Sequence, residues 1–268
     1  MFEFGHFHFH RLRRELSNYS ILRLCRSDGA IVSMHQGGTH WLKFMLAQAL
    51  SAHYGIPPPR YNHANDIIGG SKDPIQYRQI PHLRSSHTIA PLLFRNTLAL
   101  HVTKFPLCVL LIRDIRASLA SNYKKWRTRY AVTFSEYLRG DLSGRRFNSD
   151  IWWCIRFLNA WGTVAAIAED RILVVRYEDL LLEPYAQLER IARHLELTLS
   201  SLSVERAVAA ASKSAMAARS DPARPPGEIN QEEDDPLTVY NASDREFVES
   251  RCANFLHKTF GYDYSAWG

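Results

Sequence analysis

Ala30-Ile31-Val32-Ser33-Met34 passes directly into His35-Gln36-Gly37-Gly38-Thr39, after which Trp41, Leu42, Met45, Leu46 and Leu50 recur at helical spacing. An apolar run, paired glycines and a 3.6-residue repeat predict a strand, a tight loop and a helix, in that order. Further strand-like runs lie at Gln79 to Ser85, Leu107 to Ile112 and Ile172 to Val175. The last two are almost wholly Leu, Ile and Val, as strands covered on both faces require. Between and after them, Asp150 to Glu169 and Glu183 to Leu195 carry helical periodicity, the second with Pro184 in its first turn. Strands alternating with helices predict an α/β fold of three layers with a central, mainly parallel sheet. In such sheets ligands bind beyond the carboxyl ends of the strands, and each run here ends in polar residues, which points to one shared site.

The rest of the chain adds punctuation. Pro57-Pro58-Pro59 closes the first unit, and 61–77, with Gly69-Gly70 and Pro74, reads as a surface loop suited to a lid or substrate contact. An alanine-rich helix is predicted from Ala207 to Ala218, irregular chain from Arg219 to Pro236, and a closing helix from Asp244 to Tyr262. A length of 268 residues is enough for one large core, so residues 1–268 are read as one domain. The four cysteines lie far apart with no CxxC pair, which predicts reduced, packed thiols and no zinc site. Neither a signal peptide nor an apolar run long enough to span a membrane is present in the sequence, so a cytoplasmic location is expected.

The net charge of +6 suits an anionic ligand, nucleic acid or a membrane surface equally and selects none of them. The groups Arg11-Leu12-Arg13-Arg14 and Lys124-Lys125-Trp126-Arg127 read as solvated helix faces. At the N-terminus, His6, His8 and His10 would share one face of a strand, but nothing nearby completes a metal coordination sphere. An edge or partly disordered segment is the expectation there.

A glycine loop between a buried strand and a helix start presents backbone N–H groups and the positive helix end to one point, which suits a phosphate or sulfate. Thr39 adds a hydroxyl donor. Arg113, just past a buried strand, and Ser121 in the next helix are suited to clamp a second phosphate. Two anion sites at neighbouring strand ends point to a nucleotide phosphorylated at two places. His87, in Arg84-Ser85-Ser86-His87-Thr88, closes a third strand and is suited to take a proton from an attacking hydroxyl. The chain lacks the Gly-Lys-Ser or Gly-Lys-Thr of a nucleoside triphosphatase loop and an acidic strand end placed for magnesium, which weakens a kinase or NTPase reading.

In order and spacing, the stretch from about Ile31 to Leu197 resembles the sulfotransferases that use 3'-phosphoadenosine-5'-phosphosulfate (PAPS). His35-Gln36-Gly37-Gly38-Thr39-His40-Trp41 occupies the place of the family's Pro-Lys-Ser-Gly-Thr-Thr-Trp. The resemblance implies that Gln36, Gly37, Gly38, Thr39 and His40 meet the donor's 5'-phosphosulfate and that Trp41 lies near the adenine. Ser85-Ser86-His87 resembles the family's Lys-Thr-His strand end, which makes His87 the implied base, and Pro91 and Leu92 follow as in the family. Arg113-Asp114-Ile115-Arg116 through Ser121 resembles the Arg-Asn-Pro-Arg-Asp block, implying that Arg113 and Ser121 hold the 3'-phosphate. Arg176-Tyr177-Glu178-Asp179-Leu180 is close to the Tyr-Glu-Asp-Leu segment and brings Tyr177 to the adenine. The C-terminal Arg-Lys-Gly block is poorly matched; Arg224, in Arg224-Pro225-Pro226-Gly227, stands in its place.

The implied fold is P-loop NTPase-like, and the implied reaction moves a sulfuryl group from PAPS to a hydroxyl or amine of a glycan, phenol, lipid precursor or other small acceptor, without a metal. No nucleic-acid partner is implied. One departure stands out: Gln36 lies where the family usually has a lysine. An amide donates a hydrogen bond but carries no charge. His40 and His35 are the nearest residues in sequence to supply the missing cation. The competing readings are a nucleotide kinase or NTPase on the same fold and a catalytically weak nucleotide-binding homologue. The loops 57–80 and 127–150 are expected to line the acceptor pocket.

Overall fold

A computed structural model of the chain describes residues 19–70, 72–143, 145–223 and 235–267. His6, His8, His10 and Arg224 lie outside them. Strands β1 (Gly29–Ser33), β2 (Gly69–Gly70), β3 (Leu83–Ser86), β4 (Leu107–Ile112) and β5 (Ile172–Arg176) form one five-stranded sheet in the order β2-β3-β1-β4-β5. Every ladder is parallel. Helices α1 (Thr39–Tyr54), α2 (Thr97–Val102), α3 (Ile115–Tyr130), α4 (Phe134–Arg139) and α5 (Ile151–Ile167) fill the chain between β1 and β5. After β5 come α6 (Tyr177–Leu182), α7 (Pro184–His194), α8 (Ser201–Ala210), α9 (Lys213–Ala217) and α10 (Ala242–Phe255).

The period of two along each strand divides the interior into two cores. Ala30, Val32, Cys108, Leu110 and Ile112 face a cluster built with α3, α5 and α10, centred on Phe157 and Trp161. Ile31, Val109, Leu111 and Val175 face the opposite way, toward α1, α7 and α8. With both faces covered, β4 is apolar throughout, and each fully buried Leu, Ile or Val contributes roughly 1.5–3 kcal/mol. The two cores correspond to the three predicted layers.

Several elements differ from their sequence reading. β3 holds only Leu83–Ser86, because Pro81 lacks the N–H that a ladder needs. The expected Ala207 to Ala218 helix is two helices, since Ser212 caps α9 through Ala215 N–H and stops α8 before it. The closing helix ends at Phe255, and the chain onward to Trp267 packs against α3 without helical structure. The 61–77 segment is no plain surface loop: Asn62, His63, Ala64, Ile67 and Ile68 are buried. Cys108, Cys154 and Cys252 are buried free thiols, and Cys25 is a half-buried one. No helix among the described residues is long and apolar enough to cross a membrane.

Candidate active site

The site gathers at the carboxyl end of β1, the third strand of the sheet. β3 delivers His87 on one side of it, while β4 and β5 deliver Arg113 and Tyr177 on the other. The order of the strands therefore separates an imidazole side from a basic, aromatic side.

The glycine loop is built by two left-handed residues, Gln36 at φ 58° and Gly38 at φ 86°. For Gln36 that conformation is strained, and such strain persists where the surroundings over-determine it. Here Gly37 N–H turns back to the Met34 carbonyl at 3.1 Å, and the Gln36 carbonyl accepts from Arg113 Nη1 at 2.9 Å. Gly38 is the N-cap of α1 and provides no capping side chain, and the first helical bond runs from Leu42 N–H to its carbonyl at 3.0 Å. The N–H groups of the turn before it, from Thr39 to Trp41, lie at the helix start, where the backbone dipoles favour an anion.

The basic side is compact. Arg113 Nη1 also reaches Ser121 Oγ at 3.3 Å, and its guanidinium lies 4.4 Å from the centre of the Tyr177 ring. Tyr177 covers the loop so closely that a Cβ added to Gly38 would stand 2.5 Å from its ring. Trp41 meets Tyr177 edge-on at 6.3 Å, held by its own Nε1–H bond to the Ala211 carbonyl at 2.9 Å. Gln36, Gly38, Trp41, Arg113, Ser121 and Tyr177, all singled out in the sequence, are thus brought together.

On the other side, His87 Nδ1 lies 2.9 Å from the Ser33 carbonyl. A carbonyl only accepts, so Nδ1 carries the proton and Nε2 keeps its lone pair. Ser33 Oγ, 3.3 Å from the same nitrogen, meets Thr39 Oγ1 at 2.6 Å, which joins the imidazole to the glycine loop. Burial, with the positive charges of Lys43 and Lys125, pushes His87 below its ordinary pKa, against the upward pull of the Ser33 carbonyl. The imidazole is therefore neutral at neutral pH.

His35 stacks on His87 at 4.3 Å and tilts against Trp153 at 4.6 Å. Burial foremost, then His87 and Lys125, lowers its pKa to about 3. It carries no charge under physiological conditions, so it does not supply the cation that the sequence lets it offer. His40 lies instead beside His63, 6.5 Å away and edge-on. Among the described residues no group of three or more His, Cys, Asp or Glu is placed to hold a metal.

Sequence reasoning passed over Ser33, Lys43, Asn65, Lys125 and Trp153. For Lys43 a signal was present, because it is the only charged residue from Trp41 to Leu50. Lys125, in a group that reads from the sequence as a solvated face, is half-buried, and its charge is felt at both His35 and His87.

A model of the sulfotransferase domain matches residues 26–234. No curated protein matches the chain in sequence. Among solved structures, mouse sulfotransferase SULT7A1 complexed with PAP (3'-phosphoadenosine-5'-phosphate) is similar, with a TM-score of 0.61, 14% identity and 91% of both chains covered. A sulfotransferase from Alicyclobacillus acidocaldarius gives a TM-score of 0.48 at 13% identity, covering 85% of this chain and 92% of that one. Retinol dehydratase in a complex with retinol and PAP gives 0.47 at 13% identity, with 85% and 79% covered. The mouse protein supports the fold, and the domain match, which spans most of the chain, decides the family: this chain is a member of the sulfotransferase family.

Proposed function

We propose that the chain transfers the sulfuryl group of PAPS to a hydroxyl or amine of a carbohydrate or small-molecule acceptor, with His87 as general base. The observation that carries this reading is the pairing of His87 Nδ1 with the Ser33 carbonyl, which leaves Nε2 as the proton acceptor, while two hydrogen bonds through Ser33 Oγ join the same imidazole to Thr39 at the end of the glycine loop. That the mouse relative holds PAP supports a donor of the same kind.

In this scheme the acceptor oxygen attacks sulfur, its proton passes to His87 Nε2, and the bond from sulfur to the bridging phosphate oxygen breaks, releasing PAP. The charge that develops on the departing phosphate meets the N–H groups of Thr39, His40 and Trp41 and the Gln36 side chain. Arg113 and Ser121 hold the 3'-phosphate, Trp41 and Tyr177 flank the adenine, and Arg224 is assigned to the donor by resemblance alone. Positioning and anion stabilisation supply most of the rate, as in phosphoryl transfer. Buried free thiols support a cytoplasmic location. A nucleotide-binding protein with little turnover is the second reading, and the uncharged Gln36 favours it.

Calorimetric titration with PAP, AMP and ATP, repeated with Arg113→Ala, tests the donor. PAP is expected to bind far more tightly than AMP, and the substitution to remove that difference; tighter binding of ATP with magnesium would overturn the reading. The base is tested separately by the pH profile of kcat/KM. Because His87 is held low, activity is expected to be constant at neutral pH and to fall on the acid side with a midpoint below 6.5. His87→Asn is expected to lower kcat by about 10²–10⁴-fold.

A further inference from the structure

Helix α1 is buried almost all round, with Leu42, Phe44, Met45, Leu46 and Leu50 fully covered. Among them Lys43 is only 3% exposed. An ammonium taken out of water is strongly disfavoured unless paired, so a lysine at such a position is a costly substitute for the methionine or leucine that would fill the space.

Its placement gives the charge a use. Lys43 follows Thr39 by one helical turn and so shares its face of α1. Thr39 Oγ1 meets Ser33 Oγ, and Ser33 meets His87, so the face of α1 that carries Lys43 is the one whose first turn joins this cluster. Its charge reaches the imidazole and is one of the causes that hold His87 neutral. Lys43 Nζ donates to Asn65 Oδ1 at 2.5 Å, and Asn65 N–H donates to His63 Nδ1 at 3.1 Å. His63 Nδ1 thus accepts, which leaves the proton on Nε2, 3.2 Å from Asp221 Oδ2. This chain of bonds holds the ammonium against the 61–70 segment.

We propose that Lys43 is a catalytic residue: its ammonium neutralises charge on the transferred sulfuryl group and its bridging oxygen, from within α1, in place of the loop cation that Gln36 does not provide. The proposal rests on the sulfotransferase reading above. His35 is neutral and stacked on His87, which removes one of the two alternatives that the sequence offers.

The test uses the full chain, PAP as binding probe and PAPS as reactant, following cleavage of PAPS to PAP and sulfate in single turnovers so that no acceptor need be known. Lys43→Met is expected to slow cleavage by about a hundredfold or more, the effect of removing a charged stabiliser at a developing anion, while the Kd for PAP, which lacks the sulfuryl group, changes less than threefold. Lys43→Arg is expected to recover part of the rate. Gln36→Lys in the Lys43→Met background is expected to recover at least tenfold, because it returns the charge from the loop. Cleavage by Lys43→Met at the wild-type rate overturns the proposal. So does a loss that tracks weakened PAP binding and a lowered Tm and that Gln36→Lys does not restore. A wild-type chain that binds PAP but leaves PAPS intact also sinks it. A wild-type chain that binds no PAP refutes the donor reading itself, a separate outcome.

Discussion

Gly38 combines two constraints that no other residue type satisfies: φ is 86°, and the Tyr177 ring occupies the space of a Cβ. Gly38→Ala is expected to cost roughly 1–2 kcal/mol for the backbone alone and more for the displaced ring. Calorimetry should then show at least a tenfold weaker PAP complex, with the fold retained by circular dichroism. His35 makes a different kind of demand. Its pKa in the folded chain is about 3, against the ordinary histidine value of 6.5, so below pH 6.5 the unfolded chain takes up a proton that the folded site refuses. Stability is thus complete above 6.5 and declines as the pH falls toward 3, by up to a few kcal/mol. Urea midpoints across that range should fall steeply for the wild type and more gently for His35→Phe, which keeps the stacking ring and cannot be protonated. Of the candidate site residues, Gln36, Gly38, Trp41, His87, Arg113, Ser121 and Tyr177 were legible because each lies in a short segment at a strand end, whereas His40 lies beside His63. Ser33, whose partner His87 lies 54 residues away, and Lys43, whose proposed role rests on its burial, were not legible.

At the scale of elements, the segment after α10, read from the sequence as helix as far as Tyr262, is non-helical and packs against the start of α3. Tyr264 Oη accepts from Ile115 N–H at 3.2 Å, and Glu178 accepts from Asp114 N–H at 3.3 Å while Tyr262 donates to its other oxygen. Arg116, 8% exposed, pairs with Asp114 at 2.7 Å and donates to the Ala266 carbonyl at 2.6 Å, its guanidinium lying 5.2 Å from the Tyr264 ring and 5.3 Å from Trp267. These contacts brace the turn from β4 into α3, the turn that presents Arg113. Arg116→Met leaves Asp114 without its partner and is expected to cost about 3–5 kcal/mol, read as a lowered urea midpoint, and to weaken PAP binding although residue 116 need not touch the nucleotide. β4, α5 and α7 were legible because periodicity and length agreed. The tail was not, since aromatic residues bound for a distant helix carry no local period, and the break between α8 and α9 was hidden by alanines that favour helix on both sides of Ser212.

For the whole molecule, the proposed donor contacts follow three neighbouring strands, β1, β4 and β5, so a bound donor is expected to be coupled to the sheet. A ligand that binds only the folded state stabilises it by mass action, so PAP at a hundred times its Kd is expected to add about 2.7 kcal/mol to unfolding, observable as a rise in Tm that AMP at the same concentration does not match. The three-layer architecture was legible as a whole, because strand runs covered on both faces leave few alternatives. The order of the strands was not, since nothing local states which neighbour a parallel strand will choose. That order ends at β2, two glycines long. Both backbone groups of Gly70 are occupied by side chains: its N–H donates to Asp73 Oδ2 at 2.7 Å, and its carbonyl accepts from the nearly buried Arg84 at 2.6 Å. Arg84 reaches the Asp73 carbonyl as well, at 2.5 Å. Side-chain bonds to Gly70 leave this short edge with less to offer a second copy, which blunts strand-by-strand association, and the aggregation that begins with it, at this margin of the sheet.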